Sequence, residues 1–236
     1  MIQVIAKNLA IFDVLYHPSD MEHDRTRQED HAASLLRERG MMRLSEFLRE
    51  GITSATISRM EQKGLLNQLS RGLYQLPDAP LDANHTLAVA AKLVPNGVIC
   101  CDSALAFHEL TDRIPPLVWV AIGPREWRPR IERPRIQIER FGPKVFDKGL
   151  ECHTIENVPV RIYSPAKTVV DLFRNARIQH AVYEATGGGF VHATQAMKEA
   201  LRLRKTTPAE IARFAVEAGI WEKIVQPRLE ALTVDA

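Results

Sequence analysis

Residues 51–77 read GITSATISRMEQKGLLNQLSRGLYQLP, and their pattern decides the fold of the first third of the chain. Gly51 stops whatever helix precedes it. Thr53 or Ser54 can then cap the next one, offering a side-chain oxygen to amides that have no partner within the helix. In TSATISRMEQKG, Ile57 and Met60 fall on one face at roughly 100° per residue. Ala55, Ser58, Arg59 and Gln62 then point away from that face, flanked by Ser54, Thr56 and Lys63. After Gly64, LLNQL and GLYQL read as two short strands around a tight turn at Ser70-Arg71-Gly72.

Two further short helices are predicted upstream. HAASLLRERG closes at Gly40, and MRLSEFLREG carries Leu44, Phe47 and Leu48 on one face before Gly51. Three short helices and a hairpin make a winged helix-turn-helix, whose third helix enters the major groove of DNA. The hairpin tip of such a fold meets the backbone, where Arg71 suits a phosphate. A solvated helix face beside an ordinary turn is the alternative that the pattern leaves open.

Before this block lie the polar stretch DMEHDRTRQED and an apolar start, MIQVIAKNLAIFDVLYHPSD. Lys7 and Asp13 interrupt the start, no basic leader opens it, and no small-residue cleavage site follows. It is therefore not read as a secretory signal, and it is too short and polar to span a membrane. An added partner-binding helix and a translation start at Met21 both remain open.

The totals exclude whole classes. With 236 residues, 45% hydrophobic and 25% charged, the chain is neither disordered nor membrane-embedded. A net charge of +2 means that any basic surface must come from local clustering. Cys100 and Cys101 are adjacent and Cys152 stands alone, so no metal-ligand spacing arises, and reduced thiols in a cytoplasmic protein are expected. His85, His108, His153 and His192 have no partner at metal spacing. Neither a metal nor a cofactor is expected.

PDAPLDAN (77–84) reads as a linker, with a domain boundary near residue 80. The division is an extension of unknown role at 1–24, a winged helix-turn-helix at 25–80 and a mixed α/β or α+β domain at 81–236. In the last, HTLAVAAKLVP and DSALAFHEL are predicted helices, the latter capped by Asp102 or Ser103. GVICC, LVWVAIG, RIQIERF, GLECHTI and VPVRIYS are predicted strands. SPAKTVVDLFRNA starts with Ser164 as cap and Pro165 behind it, and TPAEIARFAVEAG carries a capping box of Thr207 and Glu210.

Chemistry is sparse. Between Arg113 and Lys148 nine Lys/Arg face four Asp/Glu, and Pro124, Pro129, Pro134 and Trp127 interleave with the arginines at 125–135. Arg125, Arg128 and Arg130 are the candidates there for phosphate contacts beside the wing; a solvated basic loop is the plain alternative. Ser103 lacks a GxSxG setting, and capping accounts for it. The GGG run at 187–189 has no phosphate-loop companion residues and reads as a helix joint. Lys167 and Asp171, four apart, read as a surface pair contributing roughly a few tenths of a kcal/mol. With Ser103 they also mark a candidate functional surface where VRIYS meets the helix starting at Ser164, since strand ends facing helix starts commonly hold sites. No paired carboxylates or acid-base couple emerges, so no enzyme is expected.

Four stretches together resemble the AbiEi-type antitoxins of abortive-infection (type IV) toxin-antitoxin systems: GITSATISRMEQKGLLNQLSRGLYQLP, GVICCDSALAFHELTDRIPPLVWVAI, VPVRIYSPAKTVVDLFR and VQPRLEAL. The resemblance runs over about residues 28–232. It implies a winged-helix domain followed by an antitoxin domain in a protein of phage defence. Such proteins repress their own operon by binding inverted repeats in its double-stranded promoter DNA. They also counter a nucleotidyltransferase-like toxin without a stable complex. The DNA-facing positions it implies lie on Thr53 to Lys63 and at Arg71. The chain departs from many members near Gln68, where they carry a basic residue. The rival reading is a winged-helix regulator whose second domain senses a ligand or a protein.

Overall fold

The computed structural model describes residues 18–176 and 189–234. The first seventeen residues and most of the GGG run therefore lie outside the described residues. The chain divides into two compact units with the boundary between Pro80 and Leu81.

In the first unit, α1 (Pro18–Arg39) is 22 residues long and takes in the polar stretch DMEHDRTRQED. That stretch has no apolar stripe of its own. It continues a helix whose burial is concentrated at Ala32, Leu35 and Leu36. Gly40 follows with φ +72°, a left-handed conformation that glycine adopts without a Cβ clash. Next come β1 (Met41–Arg43), α2 (Leu44–Arg49), α3 (Ser54–Gln62), β2 (Asn67–Ser70) and β3 (Leu73–Gln75). Strand β1 corrects the expectation of helix from Met42 onward. Met41 and Met42 are both buried, and the strand pairs antiparallel with β3, Met42 opposite Tyr74. The sheet order is β1-β3-β2. Leu48, expected to face inward beside Phe47, is 52% exposed, whereas Phe47 is fully buried. Leu36, Met42, Phe47, Ile52, Ile57, Met60, Leu66 and Tyr74 close the core.

The second unit runs α4 (His85–Leu93), β4 (Val98–Ile99), α5 (Cys101–Phe107), β5 (Val118–Ile122), β6 (Ile136–Arg140) and α6 (Pro143–Phe146). It continues with β7 (Leu150–Ile155), β8 (Val158–Tyr163), α7 (Pro165–Asn175), α8 (Gly189–Arg202) and α9 (Pro208–Glu217). A π-helical turn at Trp221–Val225 leads into α10 (Gln226–Val234). The sheet is mixed, in the order β6-β5-β4-β8-β7. Pairs β5–β6 and β4–β8 are parallel, while β4–β5 and β7–β8 are antiparallel. The molecule is thus of mixed α/β class.

Helix α7 is the hub of this unit, packing against α5, α8 and α9. Ser164 caps it as expected, its hydroxyl accepting from the Lys167 amide. The capping box of Thr207 and Glu210 on α9 forms with both reciprocal bonds. The cap of α5 is different: Cys100 in extended backbone precedes the helix, and Asp102 and Ser103 lie inside its first turn. Both side chains are committed to distant partners instead of to local amides.

Candidate nucleic-acid interface

Helix α3 begins where its sequence invites it to begin. The Thr53 hydroxyl accepts from the Thr56 amide at 3.2 Å. Thr56, Ile57 and Met60 are buried, leaving Ser54, Ala55, Ser58, Gln62 and Lys63 exposed and Arg59 half-buried. Thr56 therefore departs from its expected place beside the outer face. Its hydroxyl donates to Gln28 Oε1 at 2.9 Å, tying α3 to α1. A threonine holds that position because a short hydroxyl reaches a neighbouring helix without leaving an unpaired polar atom inside.

The two basic residues of α3 are engaged. Arg59 Nε donates to Glu29 Oε1 at 2.9 Å, and Lys63 Nζ reaches both Glu29 oxygens at 3.1 Å. Arg59 Nη2 also donates to the Thr56 hydroxyl. The Arg59 guanidinium, followed by Lys63, holds the Glu29 carboxyl below its usual value against a desolvation that works the other way. Gln28 and Glu29 carried no sequence signal, because their partners lie more than twenty residues away on another helix.

Past α3, Gly72 turns the hairpin with φ +70° and hands its carbonyl to the Leu44 amide at 2.8 Å. Arg71 sits beside it, exposed at the tip, with no side-chain partner among the described residues. On the flanking strand, Gln68 donates to the Tyr74 hydroxyl at 3.2 Å.

In the second unit, Arg125, Arg128 and Arg130 are all exposed on the loop from β5 to β6. The start of that loop is held by Arg140, whose guanidinium donates to the carbonyls of Gly123, Pro124 and Glu126 at 2.8–3.0 Å.

The candidate site at the start of α7 is not a surface. Lys167 and Asp171 are buried, at 2% and 0% exposure, and pair with each other inside the core. The Lys167 ammonium lies 4.4 Å from the Tyr163 ring centroid and 5.0 Å from that of Phe141, two rings stacked at 5.7 Å. Arg174 stands 3.6 Å from the other Asp171 oxygen and stacks on Phe141. Burial pushes Lys167 down and Asp171 up, while their mutual attraction opposes both shifts. The expectation of an exposed pair fails because the spacing fixes only that two side chains meet, not which face of the helix they share.

Ser103 is likewise structural. Its hydroxyl accepts from the Trp119 amide at 2.9 Å, tying α5 to β5. Asp102 meets His192 at 2.7 Å within the core, and His108 donates from Nε2 to the Tyr163 carbonyl at the same distance. These histidines are hydrogen-bonded core groups. Among the described residues, no cluster of three or more His, Cys, Asp or Glu could hold a metal ion. Among them too, no helix is long and apolar enough to cross a membrane.

No curated protein matches the chain. Residues 32–77, from within α1 to just past β3, match the family model described as transcriptional regulator, AbiEi antitoxin, so that this segment is similar to the AbiEi antitoxin regulators.

Proposed function

We propose that the protein is a cytoplasmic repressor and antitoxin. Its first unit acts as a winged helix-turn-helix on the inverted repeats of its own double-stranded promoter. Its second unit counters a nucleotidyltransferase-like toxin without forming a stable complex with it. The observation that carries the DNA-binding half is the order α1-β1-α2-α3-β2-β3, with a polar outer face on α3 and Arg71 at the hairpin tip. That order supports a groove-reading helix followed by a backbone-contacting wing. The match to the antitoxin regulators supports the other half.

Ser54, Ser58, Arg59 and Gln62 are the residues assigned to base edges, and Lys63 and Arg71 those assigned to phosphates. Thr56 serves by holding α3 on α1. One winged helix has a small footprint, so Arg125, Arg128 and Arg130 add phosphate contacts from the second unit.

The test is titration of promoter DNA at several salt concentrations. Arg71→Ala is expected to weaken binding to every sequence and to reduce the salt slope by about one. Gln62→Ala or Arg59→Ala is expected to cost about 1–3 kcal/mol on the operator and relax base preference. Unchanged operator affinity in all three variants would remove the reading. A toxin-like reading frame next to the gene separates it from a regulator with a ligand-sensing second domain.

A further inference from the structure

Residues 123–135, GPREWRPRIERPR, connect two parallel neighbours, β5 and β6, at the edge of the second sheet. A parallel connection must carry the chain back along the full strand length, commonly with a helix that packs on the sheet. Here the crossover has no helix. It holds five arginines, at 125, 128, 130, 133 and 135, against two glutamates. All five are exposed, and none of their side chains has a hydrogen bond or ion pair among the described residues. Trp127 lies among them at 85% exposure, with no ring or cation contact among the described residues. The loop is nevertheless held in place. Arg140 binds the carbonyls on both sides of Arg125, and prolines at 124, 129 and 134 restrict the backbone.

We infer that this loop is a binding site for single-stranded nucleic acid, in which Trp127 stacks on an unpaired base while the arginines hold the flanking phosphates. It uses the arginines already assigned to duplex phosphates, so it rests in part on the proposed function, and it adds a ligand that the function does not include. Arginines alone satisfy a duplex, which offers phosphates and base edges. The flat face of an indole finds no partner there unless base steps are pried apart, at a cost of a few kcal/mol per step. An unpaired base presents the face that the indole lacks, whatever its identity. A large aromatic surface left in water among unpaired cations fits that ligand.

The experiment uses the full chain and fluorescence anisotropy with labelled single strands of about twelve nucleotides, within the usual site size, as DNA and as RNA. The same sequence as a duplex and the promoter duplex serve as comparisons. Trp127→Ala is expected to weaken single-strand binding by about five- to 150-fold, the range for losing one stacked base. Promoter binding should change less than about twofold, since phosphates dominate it. Trp127→Phe should keep most of the single-strand affinity. Arg71→Ala should lower promoter affinity and leave the single-strand affinity intact. The DNA and RNA arms show which backbone the loop prefers. No single-strand binding by the wild type, or equal binding by Trp127→Ala, overturns the inference; the first outcome would leave the loop to an acidic protein partner. A wild-type chain that binds single strands but not its promoter would overturn the repressor reading alone.

Discussion

At the scale of single residues, two sets of charges matter most, and neither stands where an inspection of its own helix would put it. Glu29 holds Arg59 and Lys63, so on the proposed function a duplex must compete with it for both cations, through base edges for Arg59 and a phosphate for Lys63. Glu29→Gln removes a negative charge from the side proposed to face DNA and frees them. Duplex affinity should rise on all sequences and the salt slope steepen by about one, from the phosphate contact of Lys63. Lower affinity in a folded variant would instead make Glu29 the residue that aims Arg59. Because its carboxyl is lowered in the fold, its contribution to stability is present above the ordinary carboxylate pKa and is lost as pH falls through the lowered value. Lys167 and Asp171 are the second case. Lys167→Met leaves Asp171 buried beside the stacked rings, and a single replacement of this kind should cost about 3–5 kcal/mol in urea unfolding. Lys167→Met with Asp171→Leu should recover most of that loss, because an apolar pair of similar volume needs no desolvation. If the double variant is as unstable as the single ones combined, the pair does not act as a unit.

At the scale of elements, the end of α5 is fastened to the end of β8 through His108, whose imidazole donates to the Tyr163 carbonyl. Burial lowers its pKa below the ordinary value of 6.5, against the pull of that carbonyl and of Glu151. The unfolded chain then accepts a proton that the folded chain refuses. Stability from this source is complete above the ordinary value and declines as pH falls through it towards the folded value. Urea midpoints at about pH 7.5 and about pH 5.5 should therefore differ, and His108→Gln should narrow the difference. An identical pH dependence in that variant would remove His108 as its cause. The same residues show what a sequence can reveal. Helix α3, the hairpin, and the caps at Ser164 and Thr207 were legible because their determinants lie within a few residues of each other. The cap of α5 was not, since Ser103 and Asp102 serve Trp119 and His192, sixteen and ninety residues away. Met42 and Arg43 read as the start of a helix because a three-residue strand is too short to show a period, and the pairing of β1 with β3 decides the matter. Arg59 was legible as an outward-facing cation, but not its engagement by Glu29.

At the scale of the whole molecule, each unit has its own apolar core, one around Phe47 and Ile57 and the other around Tyr163, Val169 and Phe173. Damage to one core leaves the other's contacts untouched, so the two proposed activities should come apart in the cell. The test is growth with the toxin induced and the antitoxin supplied from an unrelated promoter, so that repression cannot contribute to survival. Arg59→Ala and Arg71→Ala alter only exposed or half-exposed side chains of the first unit. Both should lose repression and still rescue growth. Lys167→Met, which unsettles the hub helix of the second unit, should lose rescue in proportion to its loss of folded protein while promoter DNA is still bound through the first unit. The binding that remains should be weaker and have a shallower salt slope than the wild type's, since Arg125, Arg128 and Arg130 would no longer be held in place. Restoring the fold with the paired Lys167→Met and Asp171→Leu replacement should then restore rescue, because neither charge is exposed to a partner. Rescue that stays lost in a stable double variant would give the buried charges a part in antitoxicity beyond folding. Failure of a folded Arg59→Ala chain to rescue would mean that antitoxicity needs DNA, and the division of labour between the units would be wrong.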